Sequence, residues 1–113
     1  MTPPPVRAAA DAFIAAANAG DAKAALDLFA SDAIIDDPST GHRFEGHAGV
    51  GDYFERYFIA YHTATRFLSI DPISERRARV RVDFTGDFGH EIGLLDITLD
   101  AEGRIVRIDA DLE

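Results

Sequence analysis

Apolar residues recur with helical spacing in the first half of the chain and with strand spacing in the second half. Residues 6–20 carry apolar side chains at i, i+4, i+7 and i+11, which predicts an amphipathic helix that ends near Gly20. Asp21 is a typical N-cap for a second helix, predicted over residues 22–30. Helical spacing also predicts a third helix over residues 50–62.

Alternation of apolar and polar residues predicts strands in most of the remaining chain, most clearly in "RARVRVDFTG". The predicted strands cover residues 33–37, 64–73, 77–86, 88–100 and 104–113, and a turn-rich loop covers residues 39–49. Helices that come early and antiparallel strands that come late indicate an α+β fold. A curved sheet around the helices would leave a conical pocket.

Composition narrows the classes of partner. The 113 residues suffice for one domain, which we expect over residues 6–113 after a disordered tail at residues 1–5. The chain lacks a transmembrane run, a signal peptide pattern and cysteine, which together suit the cytoplasm. The net charge of −9 disfavours nucleic acids and anionic membranes as partners.

Three segments carry a family resemblance. "FIAAANAGDAKAALDLFASDAIIDDP", "FEGHAGVGDYFERYF" and "LLDITLDAEGRIVRI" resemble the nuclear-transport-factor-2-like (NTF2-like) superfamily, most closely its ketosteroid isomerases and then its SnoaL-like polyketide cyclases. The resemblance covers roughly residues 6–112. It implies a cone in which three helices pack in a strongly curved, mainly antiparallel sheet around a pocket, and it implies a homodimer. Because this fold hosts many activities, function has to be argued from the site.

The segment "AIIDDPST" runs an apolar strand into two adjacent acids. Asp37 precedes Pro38 where the ketosteroid isomerases carry their catalytic aspartate, so the resemblance implies that Asp37 is the general base. A carboxylate that faces an apolar pocket has its charged form disfavoured, which suits it to take a proton from a carbon next to a carbonyl. Alternation points Asp36 toward solvent. The alternative for Asp37 is an ordinary turn at a strand end.

Asp96 is the second candidate, because it is an isolated acid in the apolar strand "EIGLLDITL". Burial there predicts a protonated or paired carboxyl group. By resemblance, Asp96 matches the protonated aspartate that donates a hydrogen bond to the substrate oxygen in ketosteroid isomerases. The alternative is an outward-facing acid, or one that pairs with an arginine such as Arg81 or Arg107.

The sequence departs from the family at two tyrosines. Phe13 stands where the isomerases carry the oxyanion tyrosine, and Phe54 stands where they carry its supporting tyrosine. Loss of one oxyanion donor typically lowers the rate about 100- to 1000-fold. Either the protein isomerises poorly, or another donor substitutes, or the reaction differs.

Three histidines are candidates for an accessory acid or base. His42 and His47 follow Asp37 in the predicted loop, and His90 shares the alternation parity of Asp96. Their spacing matches no metal-binding motif, so neither a metal nor another cofactor is predicted.

The predicted pocket wall is apolar, and its members also fit an ordinary core. We expect the wall to include Phe13, Ala17, Phe54, Phe58, Val82, Phe84, Leu94, Ile108 and Leu112. The other face of the long strand carries Leu95, Ile97 and Leu99 and is too apolar for a solvent face. We therefore expect a homodimer through the convex face of the sheet.

Together these residues predict an isomerase that moves a double bond in an apolar ring substrate through a dienolate. Asp37 would shuttle the proton, and Asp96 would hydrogen-bond the oxygen. One alternative is a SnoaL-like cyclase or dehydratase that uses Asp96 and a loop histidine. The other is a non-catalytic protein: a domain that binds an apolar small molecule, or an accessory dimerisation domain.

Overall fold

The segments with helical spacing form three helices that pack on a sheet. The computed structural model describes residues 5–113. The helices are α1 (Pro5–Ala19), α2 (Ala22–Leu26) and α3 (Gly46–Phe54), and α3 continues as a π-helical turn (Glu55–Ile59). No helix in this part of the chain is long and apolar enough to cross a membrane. The tail expected at residues 1–5 lies outside the described residues, except for Pro5, which begins α1.

Six strands form one curved sheet, in which every neighbouring pair but one is antiparallel. The strands are β1 (Phe29–Asp37), β2 (His42–Glu45), β3 (Ala64–Pro72), β4 (Arg77–Gly86), β5 (Gly89–Leu99) and β6 (Ile105–Leu112). Their order across the sheet is β2-β1-β6-β5-β4-β3, and β1 and β6 form the parallel pair. The α+β fold with a mainly antiparallel sheet is therefore as predicted.

Two segments near β1 differ from the sequence-based prediction. The second helix is shorter than predicted: it ends at Leu26, and β1 begins at Phe29, which pairs with β6. Residues 42–45 form a strand where the sequence predicts a loop, because Phe44 is buried opposite Ile35. The first difference comes from pairing with the distant β6, and the second from a short hairpin between β1 and β2. Spacing within a single segment encodes neither.

The core lies between the helices and the inner face of the sheet. Phe13 of α1 is at its centre and is 2% exposed. Its ring meets those of Phe29, Phe54 and Phe58 edge-to-face, with centroids 6.1, 6.3 and 5.8 Å apart. The position that the resemblance matches to an oxyanion tyrosine is thus part of an aromatic core in this chain.

The inner face of β5 is the one that carries Leu95, Ile97 and Leu99. Each of these side chains is at most 4% exposed and packs in the core. The prediction that they face a partner subunit is therefore wrong, because the same chain already covers them. The outer face of the sheet carries ion pairs instead. The apolar surface from which the homodimer was predicted is not on that face.

Candidate active site

Asp37 lies at the end of β1 and points to the inner face of the sheet. Ala33, Ile35 and Asp37 alternate onto that face, and Asp37 is only 7% exposed. Asp36 points to the outer face, where Arg107 Nη2 lies 3.4 Å from its Oδ2. The two acids thus have the orientations that alternation predicts.

Three donated hydrogen bonds hold the Asp37 carboxylate. The Tyr53 hydroxyl donates to Oδ2 at 2.7 Å, and the Ser39 backbone N–H and hydroxyl donate to Oδ1 at 3.0 and 2.6 Å. Burial raises the pKa of Tyr53 well above its ordinary value, and the Asp37 charge and the hydrogen bond add to this. Tyr53 therefore stays protonated and remains a donor at neutral pH.

Asp37 borders a cavity of about 300 Å³ that is rich in aromatic rings. Tyr53 of α3, Tyr57 of the π-helical turn and Tyr61 just after it line one side of this cavity. Ring centroids are 5.2 Å apart for the first two tyrosines and 6.2 Å apart for the last two. The complete lining consists of Asp37, Ser39, Thr40, Tyr53, Tyr57, Phe58, Tyr61, Thr63, Phe84, Phe88, Glu91 and Leu112. We call it the Asp37 cavity.

The predicted pocket wall coincides with this cavity only in part. Phe58, Phe84 and Leu112 line it. Ala17 lines a larger, neighbouring depression of about 710 Å³ at the end of α1, which shares Phe58 and Thr63 with the Asp37 cavity. Leu94 lines a groove on the outer face of the sheet. Four predicted wall residues are instead packed in the core, each no more than 2% exposed: Phe13, Phe54, Val82 and Ile108.

Asp96 lies on the outer face of β5, away from the Asp37 cavity. Its carboxylate accepts hydrogen bonds from Arg77 Nε at 3.0 Å and Arg77 Nη2 at 2.9 Å, and Arg79 Nη2 is 3.8 Å away. The hydrogen bonds from Arg77 lower the pKa of Asp96 below its ordinary value, although burial opposes the shift. The hypothesis of a protonated Asp96 that donates to a substrate oxygen is therefore wrong. Asp96 is an ionised partner of arginines, although not of the two that the sequence suggested.

This ion pair predicts a pH-dependent contribution of Asp96 to stability. Because its pKa is lowered in the folded state, the contribution is present above the ordinary aspartate pKa and is lost as the pH falls through the lowered value. Asp96→Asn should lower the free energy of unfolding at pH 7 by about 1 kcal/mol or less, as is usual for pairs that solvent reaches. Urea unfolding at pH 7 and at about pH 2 measures this. A difference that persists unchanged in acid would contradict the prediction.

None of the three candidate histidines lines the Asp37 cavity. His42 is exposed on β2. The Nε2 atom of His47 lies 3.0 Å from the carbonyl oxygen of Phe29, and that of His90 lies 2.9 Å from Asp83 Oδ1. Within residues 5–113, no three metal-binding side chains converge on one point. These histidines therefore do not supply the accessory acid or base that their positions suggested.

A comparison with models of protein families matches residues 10–110 to the SnoaL-like domain. The chain belongs to this family. None of the curated proteins matches the sequence. The family match confirms the superfamily that the sequence resembles. It does not determine the activity, which has to be argued from the site.

Solved structures show that other proteins share the fold of this SnoaL-like domain. RV0760c from Mycobacterium tuberculosis has a TM-score of 0.87 at 20% identity, with 97% of this chain and 92% of that one covered. A computationally designed 17-OHP binder has a TM-score of 0.86 at 17% identity, with 96% and 91% covered. A Kribbella flavida protein provisionally assigned as a ketosteroid isomerase has a TM-score of 0.84 at 18% identity, with 96% and 78% covered. These similarities confirm the NTF2-like cone.

Sequence reasoning missed most of the polar lining of the SnoaL-like domain's cavity, including Ser39, Tyr53 and Glu91. Tyr53 hydrogen-bonds Asp37, and its spacing of four residues from Tyr57 is the signal that could have placed both on one side of the third helix. Glu91 lines the cavity and shares the inner face of β5 with Leu95. Its position follows only once the inner face of β5 is known.

Proposed function

We propose that this domain catalyses proton transfer at a carbon next to a carbonyl group, as in double-bond isomerisation through a dienolate, on an apolar ring substrate. The observation that carries the proposal is the buried Asp37 carboxylate, held by three donated hydrogen bonds beside an aromatic cavity. A carboxylate placed in this way suits general base catalysis. Membership of the SnoaL-like family and neighbours described as isomerase and cyclase proteins support an enzymatic role, and the description as a ketosteroid isomerase matches the proposed reaction.

Asp37 is the proposed base. A carboxylate oxygen takes a proton from the substrate carbon, the electron pair of the broken C–H bond enters the dienolate, and the proton returns to a different carbon. Tyr53 and Ser39 orient the carboxylate for both steps, because each holds one of its oxygens. The surrounding rings favour a flat, apolar substrate.

Tyr57 is the proposed donor to the substrate oxygen. Phe13 lies in the core and Asp96 on the outer face, so neither of the positions implied by the resemblance reaches the cavity. Tyr57 lines the cavity, and its hydroxyl makes no hydrogen bond to any of residues 5–113. A free phenolic hydroxyl can donate to the negative charge that develops on the oxygen.

Hydrogen exchange in D₂O tests the proposal. A β,γ-unsaturated cyclic ketone is incubated with the wild-type protein, proton NMR follows loss of the hydrogens next to the carbonyl, and ultraviolet absorbance follows the conjugated enone. We expect both rates to exceed those in buffer alone. If neither does while the folded protein binds the ketone, the proposed reaction is wrong.

Tyr53→Phe tests the support of the base. The variant leaves the buried Oδ2 of Asp37 without its donor, which should lower the free energy of unfolding by about 1–3 kcal/mol. We also expect kcat to fall about tenfold, because the base loses a group that orients it, with little change in KM, because the aromatic ring stays in the cavity wall. Urea unfolding and the exchange assay measure the two effects.

Tyr61→Phe is the matched control for this variant. It removes a hydroxyl from the mouth of the same cavity, and Tyr61 makes no hydrogen bond to Asp37. We expect wild-type stability and nearly wild-type kcat. Equal losses in the two variants would show that the hydrogen bond from Tyr53 has no special role.

A non-catalytic binding function is the second candidate, and one observation favours it. The two oxyanion donors that the resemblance implies are absent from the Asp37 cavity. The designed 17-OHP binder, which shares the fold, fits such a function. Saturable binding of a ring ligand without proton exchange would favour it. The cyclase or dehydratase alternative is less well supported, because Asp96 and the loop histidines lie outside the cavity.

A further inference from the structure

The charged residues that line the Asp37 cavity are all acidic. Two of its twelve lining residues are carboxylates, the buried Asp37 and the exposed Glu91, and none is lysine, arginine or histidine. Glu91 pairs with Phe84 across β4 and β5 and points to the inner face, as Leu95 does. A ligand in this cavity therefore meets two negative groups and no positive one.

Basic side chains of the sheet lie outside the lining of the cavity, and all but His42 are paired with acids. His90, which neighbours Glu91, lies 2.9 Å from Asp83. On the outer face, Arg77 pairs with Asp96 and Arg107 pairs with Asp109, each at 2.9 Å. His42 lies on the strand next to β1 but is exposed and outside the lining. The chain as a whole carries a net charge of −9. The electrostatic potential in the cavity therefore favours the binding of cations and disfavours the binding of anions.

The mouth of the cavity adds exposed aromatic surface to this charge. Tyr61, Phe88 and Leu112 are 43%, 41% and 38% exposed, and all three line the cavity. The rings of Tyr61 and Phe88 meet edge-to-face with centroids 6.2 Å apart. Aromatic faces attract ammonium groups, and the attraction strengthens where water is partly excluded.

We propose that the Asp37 cavity selects ring ligands that carry a positively charged amine. The ring lies between the aromatic walls, and the ammonium group lies at the mouth, near Glu91 and the rings of Tyr61 and Phe88. The inference rests on the proposed function in placing the carbonyl end of the substrate at Asp37. The preference for a cation is a property of binding and is measured without turnover.

Three naphthalene probes of equal ring system and different charge test this preference. They are 2-naphthylmethylammonium, 2-naphthalenemethanol and 2-naphthoate. Because the chain has no tryptophan, the fluorescence of the naphthalene ring reports binding directly. We expect the ammonium probe to bind about 3- to 30-fold more tightly than the alcohol and the carboxylate probe to bind most weakly.

Two variants separate the local charge from the net charge of the protein. Glu91→Gln and Glu102→Gln each remove one negative charge, and Glu102 lies in the turn before β6, outside the cavity. We expect Glu91→Gln to lower the affinity ratio of ammonium to alcohol about threefold or more. Glu102→Gln should leave that ratio unchanged.

Four results would overturn the inference. They are equal affinities of the three probes, tightest binding of the carboxylate, equal effects of the two Gln variants, and failure of all three probes to bind. None of these results bears on proton exchange by the wild-type protein with a neutral ketone. Failure of the charge preference is therefore distinguishable from failure of the proposed function.

Discussion

Asp37→Asn should lower kcat for proton exchange by about 10²- to 10⁴-fold, the range that a positioned general base typically contributes. An amide at this position cannot take the proton from the substrate carbon. Glu91 is the other carboxylate of the lining, but it lies at the exposed mouth. It therefore does not replace a buried base that is held by three hydrogen bonds.

The same variant should keep the fold and the affinity for ligands. The amide oxygen of the new side chain can still accept from Ser39, and its NH₂ group can donate to the oxygen of Tyr53. We therefore expect a KM close to that of the wild type and a small change in the free energy of unfolding. A large loss of stability would mean that the rate loss reports unfolding instead of chemistry.

Asp36→Asn is the matched control for this prediction. It makes the same chemical change one residue earlier, on the outer face, where Asp36 pairs with Arg107. We expect nearly wild-type exchange rates. Equal rate losses in the two variants, or no loss in either, would remove Asp37 from the role of base.

Asp37 can be assigned to the pocket because the family resemblance and the end of the strand agree there. Pro38 fixes where the strand ends. Because residues 33–35 are all apolar, alternation places Asp36 and Asp37 on opposite faces but does not by itself choose the inner one. In β5, both faces carry apolar residues, since the neighbours Leu94 and Leu95 lie on opposite faces. A shift of one residue exchanges the two faces of such a strand, and the sequence-based assignment chose the wrong one.

The ion pairs of Asp96 could not be predicted, because sequence reasoning lacked the register of the strands. Every second position at the start of β4 carries an arginine: Arg77, Arg79 and Arg81. Such a row of cations is stabilised by acids on a neighbouring strand. The register of β4 and β5 places Arg79 directly opposite Asp96. That register is set by the hairpin between the strands, so the pairing could not be derived from either strand alone.

Contacts between a helix and the sheet were harder still to predict. Tyr53 and Asp37 are 16 residues apart, and they meet because α3 packs on β1. The angle between a helix and a sheet depends on the whole core, here on rings such as Phe44, whose centroid lies 5.0 Å from that of Tyr53. The acid could thus be assigned from the resemblance and its place at a strand end, while its hydrogen-bond donor could not be predicted.

Tyr57→Phe should lower kcat about 100- to 1000-fold, as loss of one oxyanion donor typically does. KM should change little, because the lost hydrogen bond is strongest when charge has developed on the oxygen. The folded state should be unaffected, since the Tyr57 hydroxyl makes no hydrogen bond to residues 5–113. Kinetics and urea unfolding, with Tyr61→Phe measured beside it, give all three quantities. A kcat equal to that of Tyr61→Phe would contradict the assignment.

Adding Phe13→Tyr to the Tyr57→Phe variant tests which position supplies the hydrogen-bond donor to the substrate oxygen. Its hydroxyl would enter a core packed by Phe29 and Phe54, where it should lower the free energy of unfolding by about 1–3 kcal/mol and restore no activity. Rescue by this change would place the oxyanion site at the family's position and remove Tyr57 from it. Failure to rescue in a folded double variant, together with the loss in Tyr57→Phe alone, would support a donor in the π-helical turn and not in the first helix.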